Sequence, residues 1–206
     1  MQPDDVITAA IALAALGAVG DANPRWSCRA VPTTWTAART VAHIADALLY
    51  YAGQVARRAD HRLPVLRDGR AAPPSEQLDN AVTAAYVLAG LLGDLGPARA
   101  WHPSGLADAS GWAGMAVTEL LVHGHDVAGA LEIEFPLPEQ LCHRTLIRVF
   151  PWVSLESGTP DVALLTVTGR AKMHGISSDS EWWWQSAPLA EWDGRPRRRT
   201  SPPRWR

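Results

Sequence analysis

The sequence predicts a mainly α-helical protein, an antiparallel four-helix bundle followed by a short helical or β C-terminal extension. Three observations lead there. Four segments within residues 4–133 carry apolar residues at helical spacing. Helix-starting Asp, Ser and Thr and helix-stopping Gly and Pro stand at their ends. Hydrophobic residues make up 47% of the 206 and charged residues 19%, which suits a substantial core and not a disordered chain.

Asp4 or Asp5 caps a first helix that runs to about Val19, with Gly20 as its stop signal. A connection over 23–32, containing Trp26 and Cys28, leads to a second helix that begins near Thr33 or Thr34 and reaches about Asp60. Its apolar stripe is Val41, Ala45, Leu48, Ala52 and Val55. After a loop over 61–74 rich in Arg, Gly and Pro, Ser75 with Gln77 and Leu78 opens a third helix. That helix carries Val82, Ala85, Leu88 and Leu92 and ends around 93–97. A turn over 101–111 leads into the fourth helix. Four helices of this length pack naturally as an antiparallel bundle.

Beyond Phe135 and Pro136 the pattern changes. Residues 138–150 read as a fifth helix and 161–168 as a sixth helix or a strand. Residues 181–185 read as a short β segment or extended strap, with Trp182 and Trp184 on one side and Trp183 on the other. These tryptophans are expected to cover the core rather than to form a ligand platform. The chain thus divides into a bundle over 1–135, an extension over 136–194 that packs on it, and a basic tail over 195–206.

The formal charge of −2 conceals a split. The last twelve residues hold six arginines and no acid, and without them 13 basic residues face 21 acidic ones, a net charge of −8. Such a tail can contact nucleic acid or an acidic surface. Lacking a helix-turn-helix or stacking platform beside it, it reads instead as a disordered, solubilising terminus, and nucleic acid is not an expected partner. The apolar run over 7–19 is too short to span a bilayer and follows Asp4 and Asp5, where a secretory signal would be basic. The expected location is the cytoplasm, with no membrane partner. Cys28 and Cys142 form no C-x-x-C pair, and a disulfide is not expected. The sequence is compatible with a homodimer but does not determine the oligomeric state.

The motif that carries chemistry lies at 117–131, V-T-E-L-L-V-H-G-H-D-V-A-G-A-L, which sets Glu119 and His123 one helical turn apart with Asp126 close behind. At 100° per residue, Met115, Glu119, Val122, His123, Asp126 and Ala130 share one side, with Val117, Leu120, Leu121, Val127 and Leu131 on the other. Alone, that pattern also describes the wet face of an amphipathic helix. Yet no lysine or arginine occurs between Arg99 and Arg144, so the face lacks the basic residues of a solvated one. Buried carboxylate and imidazole groups need partners, and a divalent cation can supply one. His125 points about 200° from His123 on a helix and cannot share an ion with it. On the second helix His43 lies off the apolar stripe, near Ala47, Tyr50 and Gln54. It faces either water or a second, more polar inner surface.

The stretch W-T-x-x-x-x-V-A-H-I at 35–44, followed by E-L-L-V-H-G-H-D at 119–126, resembles the DinB-like metal-binding superfamily. More narrowly, it is similar to the N-terminal domain of mycothiol-dependent maleylpyruvate isomerase, over about residues 5–133. A-L-L-T-V-T-G-R at 163–170 and W-W-W-Q-S-A-P at 182–188 resemble the tail of many actinobacterial members. The resemblance implies one divalent metal, zinc in most members, with His43, Glu119 and His123 as its ligands and Asp126 as a partner of a ligand or a catalytic proton acceptor. His125 departs from the pattern, standing where family members commonly have tryptophan.

Three protein ligands leave an open position, as in catalytic zinc sites. The implied activity is that of a transferase or isomerase in which the metal activates a small-molecule thiol, mycothiol or a similar one, against a small-molecule substrate. Tyr50, Gln54, Met115 and Thr118 are candidates for lining the cofactor pocket by helical phase, and Arg170 for binding a substrate carboxylate. Three alternatives stand beside this reading: a non-catalytic metal-binding interaction or regulatory module, whose pocket large apolar side chains would close, a helical protein with no metal, in which His43 would lie far from the Glu119 and His123 pair, and a hydrolase using metal-bound water.

Overall fold

Six α-helices and one β-hairpin make up the regular structure of the computed structural model, which describes residues 1–66, 72–155, 158–176 and 181–199. Helix α1 spans Pro3–Ala14 and tightens into a 3-10 turn over Ala15–Val19, ended by Gly20 at φ 72°. Its cap is Gln2 rather than Asp4 or Asp5. Asp5 closes the box by reaching back to accept the Gln2 N–H at 2.8 Å.

Helix α2 spans Ala37–Ala56. It starts later than Thr33 or Thr34 because Thr36 is the residue whose hydroxyl accepts the Arg39 N–H, at 3.2 Å, while the chain before it is extended and bridges Arg29 with Thr36. Helix α3 spans Pro74–Gly93. Where the sequence suggests only a turn, β1 (Ala100–His102) and β2 (Gly105–Ala107) pair antiparallel, Ala100 opposite Ala107. Three-residue strands are too short to show an alternating pattern. The Trp101 N–H donates to the Ala59 carbonyl at 2.7 Å and ties this hairpin to the end of α2.

Helix α4 spans Ala109–Leu131, capped by Asp108, whose carboxylate accepts the Gly111 N–H at 2.8 Å. Helices α1 and α2 each pack on both α3 and α4. Residues 111–122 of α4 are all buried, so the helix has no wet side there and both of its sequence-derived faces meet protein.

Helix α5 (Glu139–Val149) packs on α4 and on α6 (Pro160–Val167), which resolves the helix-or-strand choice in favour of a helix. From Phe150 the extension returns across the molecule. Arg148, itself buried, donates to the Asp108 carboxylate, to Ser110 Oγ at 2.8 Å and to the carbonyls of Gln185 and Ser186 at 2.8 and 3.1 Å. The start of α4, the end of α5 and the tryptophan strap are thereby joined at one side chain.

Within the strap, Trp182 bridges Arg198, and the Trp183 N–H donates to the Arg197 carbonyl at 3.0 Å. The tail expected to be disordered over 195–206 is therefore held against the strap over 195–199, while 200–206 lie outside the described residues. No helix among the described residues is long and apolar enough to cross a membrane.

Candidate metal centre

His43, Glu119 and His123 converge. One ligand atom from each lies within 4.8 Å of the other two. The His123 Nε2 stands 3.3 Å from Glu119 Oε2, and His43 Nε2 stands 3.6 Å from the same oxygen. His43 comes from the middle of α2 and the other two from successive turns of α4, so the packing of these two helices assembles the group. The imidazoles meet edge to face with centroids 5.2 Å apart. Donors placed around zinc at its usual bond lengths of about 2.0–2.2 Å in a tetrahedron are separated by about 3.3 Å. The side chains need to move little to hold such an ion.

Each donor is oriented by a neighbour. Tyr51 donates its hydroxyl to Glu119 Oε1 at 3.1 Å, leaving Oε2 to face the histidines. Asp126 faces His123 Nδ1 at 3.0 Å, which turns Nε2 inward. Asp126 is in turn gripped by Arg170, whose Nε and Nη2 donate to its two oxygens at 3.0 and 2.6 Å. The Trp35 ring lies 4.6 Å from that of His43 and covers it.

Burial sets the electrostatics of the group, and the charges then oppose it. Burial by itself raises the Glu119 carboxyl, but hydrogen bonds from His123 and His43 outweigh it and hold Glu119 well below the usual carboxylate range. Burial likewise disfavours charge on His123, yet Asp126 and Glu119 together push that imidazole up to about 9. Burial lowers His43, which stays neutral and ready to ligate. Asp126, raised by burial, is brought below its ordinary value by His123 and Arg170.

The group forms part of the wall of a cavity of about 730 Å³, a size suited to a small organic molecule. Thr33, Thr34, Trp35, Thr118 and Val122 line it from the bundle side. Arg170, Arg199 and all three of Trp182, Trp183 and Trp184 line it from the extension. The tryptophans do cover the core, Trp183 and Trp184 being buried, and all three also line the cavity.

Of the four residues assigned to the pocket by helical phase, only Thr118 lines it, and its hydroxyl is turned back to the Gly114 carbonyl at 2.8 Å. Met115 is packed in the core. Gln54 is fully buried and structural: it donates to the carbonyls of His61 and Trp101 and accepts the Leu63 N–H at 2.9 Å, holding the chain that follows α2. Tyr50 lies outside the cavity lining, and its neighbour Tyr51 is the residue that reaches Glu119. Helical phase fails here because α2 is buried on more than one side, so a long phenol on the adjacent stripe also meets α4.

Arg170 lines the cavity, but both of its carboxylate-binding positions are taken by Asp126. Asp126 is equally committed, and it is not a free proton acceptor. His125 is absent from the group and lines a separate surface hollow beside Phe135. Tyr51 and Arg199 were not singled out by the sequence. The first sits one position from a residue that was, and the second belongs to a tail whose composition reads as unstructured.

Comparison of the chain with protein-family models, with characterised proteins and with solved structures finds no match.

Proposed function

We propose that this chain is a metal-dependent enzyme of the DinB-like type, in which α1–α4 form the family's four-helix bundle and His43, Glu119 and His123 hold one divalent ion, zinc by preference. The observation that carries the reading is the meeting of three donors, His43 and Glu119 buried and His123 partly buried, at spacings suited to tetrahedral ligands, in the wall of an open cavity. Held by these three residues, a zinc ion would supply Lewis acidity, which lowers the pKa of a thiol towards neutrality.

The remaining work falls to the protein. Arg170 and Asp126 fix the direction of His123 and would keep its proton on Nδ1 once Nε2 gave up its own to ligate a metal. Tyr51 fixes Glu119. Trp35 packs on His43, and the tryptophan strap walls the cavity opposite the donors with apolar surface. The activity that fits is transfer or isomerisation of a small substrate with a low-molecular-weight thiol of the mycothiol kind. The open cavity favours this over a non-catalytic module, whose pocket would be closed by large apolar side chains.

Metal content of the purified protein, beside His43→Ala and His123→Ala, tests the ligand assignment. The expected result is roughly one ion per chain in the parent and a loss of at least about tenfold in affinity in either variant. Near-stoichiometric metal surviving both substitutions would sink it. Cobalt substitution followed by titration with a small thiol then tests the chemistry. A new sulfur-to-metal charge-transfer band supports thiol activation, and its absence favours a hydrolase reading.

A further inference from the structure

The extension holds a second cavity, of about 230 Å³, with Trp152, Val153, Val167, Ile176 and Pro196 in its wall. It backs onto the cavity beside the metal centre. Val167 lines the second and Thr168 the first, Arg198 lines the second and Arg199 the first, and among the described residues Trp182 alone lines both.

Two edges of this shared wall are main chain tied by hydrogen bonds. At the end of α6 the Thr168 N–H donates to the Leu164 carbonyl at 3.2 Å, and where strap and tail pair the Arg199 N–H donates to the Glu181 carbonyl at 2.7 Å. The Trp182 ring is held differently, by packing. It meets Trp184 edge to face with centroids 5.0 Å apart and Phe150 at 5.7 Å, and Phe150 meets Trp152 at 5.7 Å. This row of rings runs from Trp184, which lines the first cavity, to Trp152, which lines the second. Main chain cannot be shortened, but a side chain can, so Trp182 is the residue that decides whether the two volumes are separate or one.

We propose that Trp182 is a specificity-determining residue: its indole caps the metal-side cavity, admitting compact molecules and turning away those with a long apolar tail, for which the second cavity is the space denied. The inference names which ligands the site proposed above accepts, and it rests on that reading only in taking the larger cavity as the one that receives substrate. A round cavity of 730 Å³ is about 11 Å across, enough for a small organic molecule. The denied class follows from the second cavity's wall, which is mainly apolar. Its two charged residues are both engaged, Arg197 by Gln185 and Asp193, so an alkyl or acyl tail suits it and an ionic group does not. Specificity built this way acts by a clash against the wrong ligand.

The test uses two neutral dyes that share one naphthalene fluorophore, prodan with a propionyl tail and laurdan with a dodecanoyl tail. Both are titrated into the full chain, metal-loaded and chelator-treated, and in the parent prodan is expected to bind the more tightly. Trp182→Ala should tighten laurdan at least tenfold and change prodan less than about threefold, since each methylene that finds apolar space adds about fourfold in affinity. Trp182→Leu shortens the wall while keeping apolar packing on Phe150 and Trp184. It should tighten laurdan about threefold or more, and it carries the test if the alanine variant does not fold. Adding Val153→Trp to either variant refills the second cavity and should return laurdan to its affinity for the parent, which a general loosening of the fold would not do. Equal tightening of both dyes, laurdan affinity indifferent to residue 182, tightening that survives Val153→Trp, or failure of prodan to bind the parent would each overturn the inference. The expected dye pattern in a chain that holds no metal would support the inference and sink the metal centre, whereas bound metal without that pattern would overturn the inference alone.

Discussion

At the scale of single residues, what separates this site from an ordinary buried polar cluster is that each group has a defined partner and the partners form a chain. Arg170 holds Asp126, Asp126 holds His123, and His123 faces the Glu119 oxygen that Tyr51 leaves free. The i, i+4 spacing and the Arg-free, Lys-free stretch around it make Glu119 and His123 legible in the sequence; Arg170, 44 residues after Asp126, is not legible as its partner. Against Tyr51 lies a third imidazole, of another character. His102 is buried against Tyr51, Trp112, Trp183 and Trp184, and burial presses its pKa down to about 3. It is neutral in the folded protein but takes a proton below its ordinary pKa of about 6.5 when the chain unfolds. The unfolded state therefore binds more protons as pH falls, and stability declines below pH 6.5 down to the folded value. His102→Asn should abolish about 2 kcal/mol of the stability difference between pH 7 and pH 5, read by denaturant unfolding at both. Equal losses in parent and variant would show that His102 is not neutral in the fold.

At the scale of elements, α4 is the helix that meets α1, α2, α5 and the strap, and its glycines show where it cannot vary freely. A Cβ on Gly111 would stand 2.0 Å from the Ser186 carbonyl and 2.8 Å from an Arg148 nitrogen, so the strap crosses α4 at the one position where no side chain intervenes. Gly129, near the other end of the helix, has nothing within 4 Å of where its Cβ would be. Gly111→Ala is expected to cost about 3 kcal/mol by forcing the strap away. Gly129→Ala should instead stabilise by roughly 0.5 kcal/mol through reduced backbone entropy of the unfolded chain. Thermal unfolding of the two variants checks the pair, and a neutral Gly111→Ala would mean that the strap does not lie where it is described. Helix existence follows from periodicity, so α1–α4 were expected in order. Their starts were not all expected in place, because caps are decided by local backbone direction: Gln2 rather than an aspartate begins α1, and Thr36 rather than Thr33 or Thr34 begins α2.

At the scale of the whole molecule, the extension completes the cavity that the first four helices open. Arg148 is the joint, since its guanidinium reaches the α4 cap, Ser110 and two strap carbonyls at once. Arg148→Ala should cost about 3 kcal/mol by leaving Asp108 and those carbonyls without their donor. It should also loosen the strap ahead of the helices. Near-ultraviolet circular dichroism, dominated by the ten tryptophans, is expected to fall while the far-ultraviolet helix signal holds, and parallel loss of both would contradict a separable strap. The sequence by itself determined the helical class, the order of the helices, and the Glu119–His123 pair, because these depend on residues close along the chain whose spacing matches the helical period. The meeting of His43 with that pair, the capture of Arg170 by Asp126, the choice of Tyr51 over Tyr50, and the turning of Arg199 from tail into cavity wall were decided only by the tertiary structure. Each is a contact between segments far apart in sequence, and which side chains meet there depends on how helices and strap pack in three dimensions, a quantity no local period encodes.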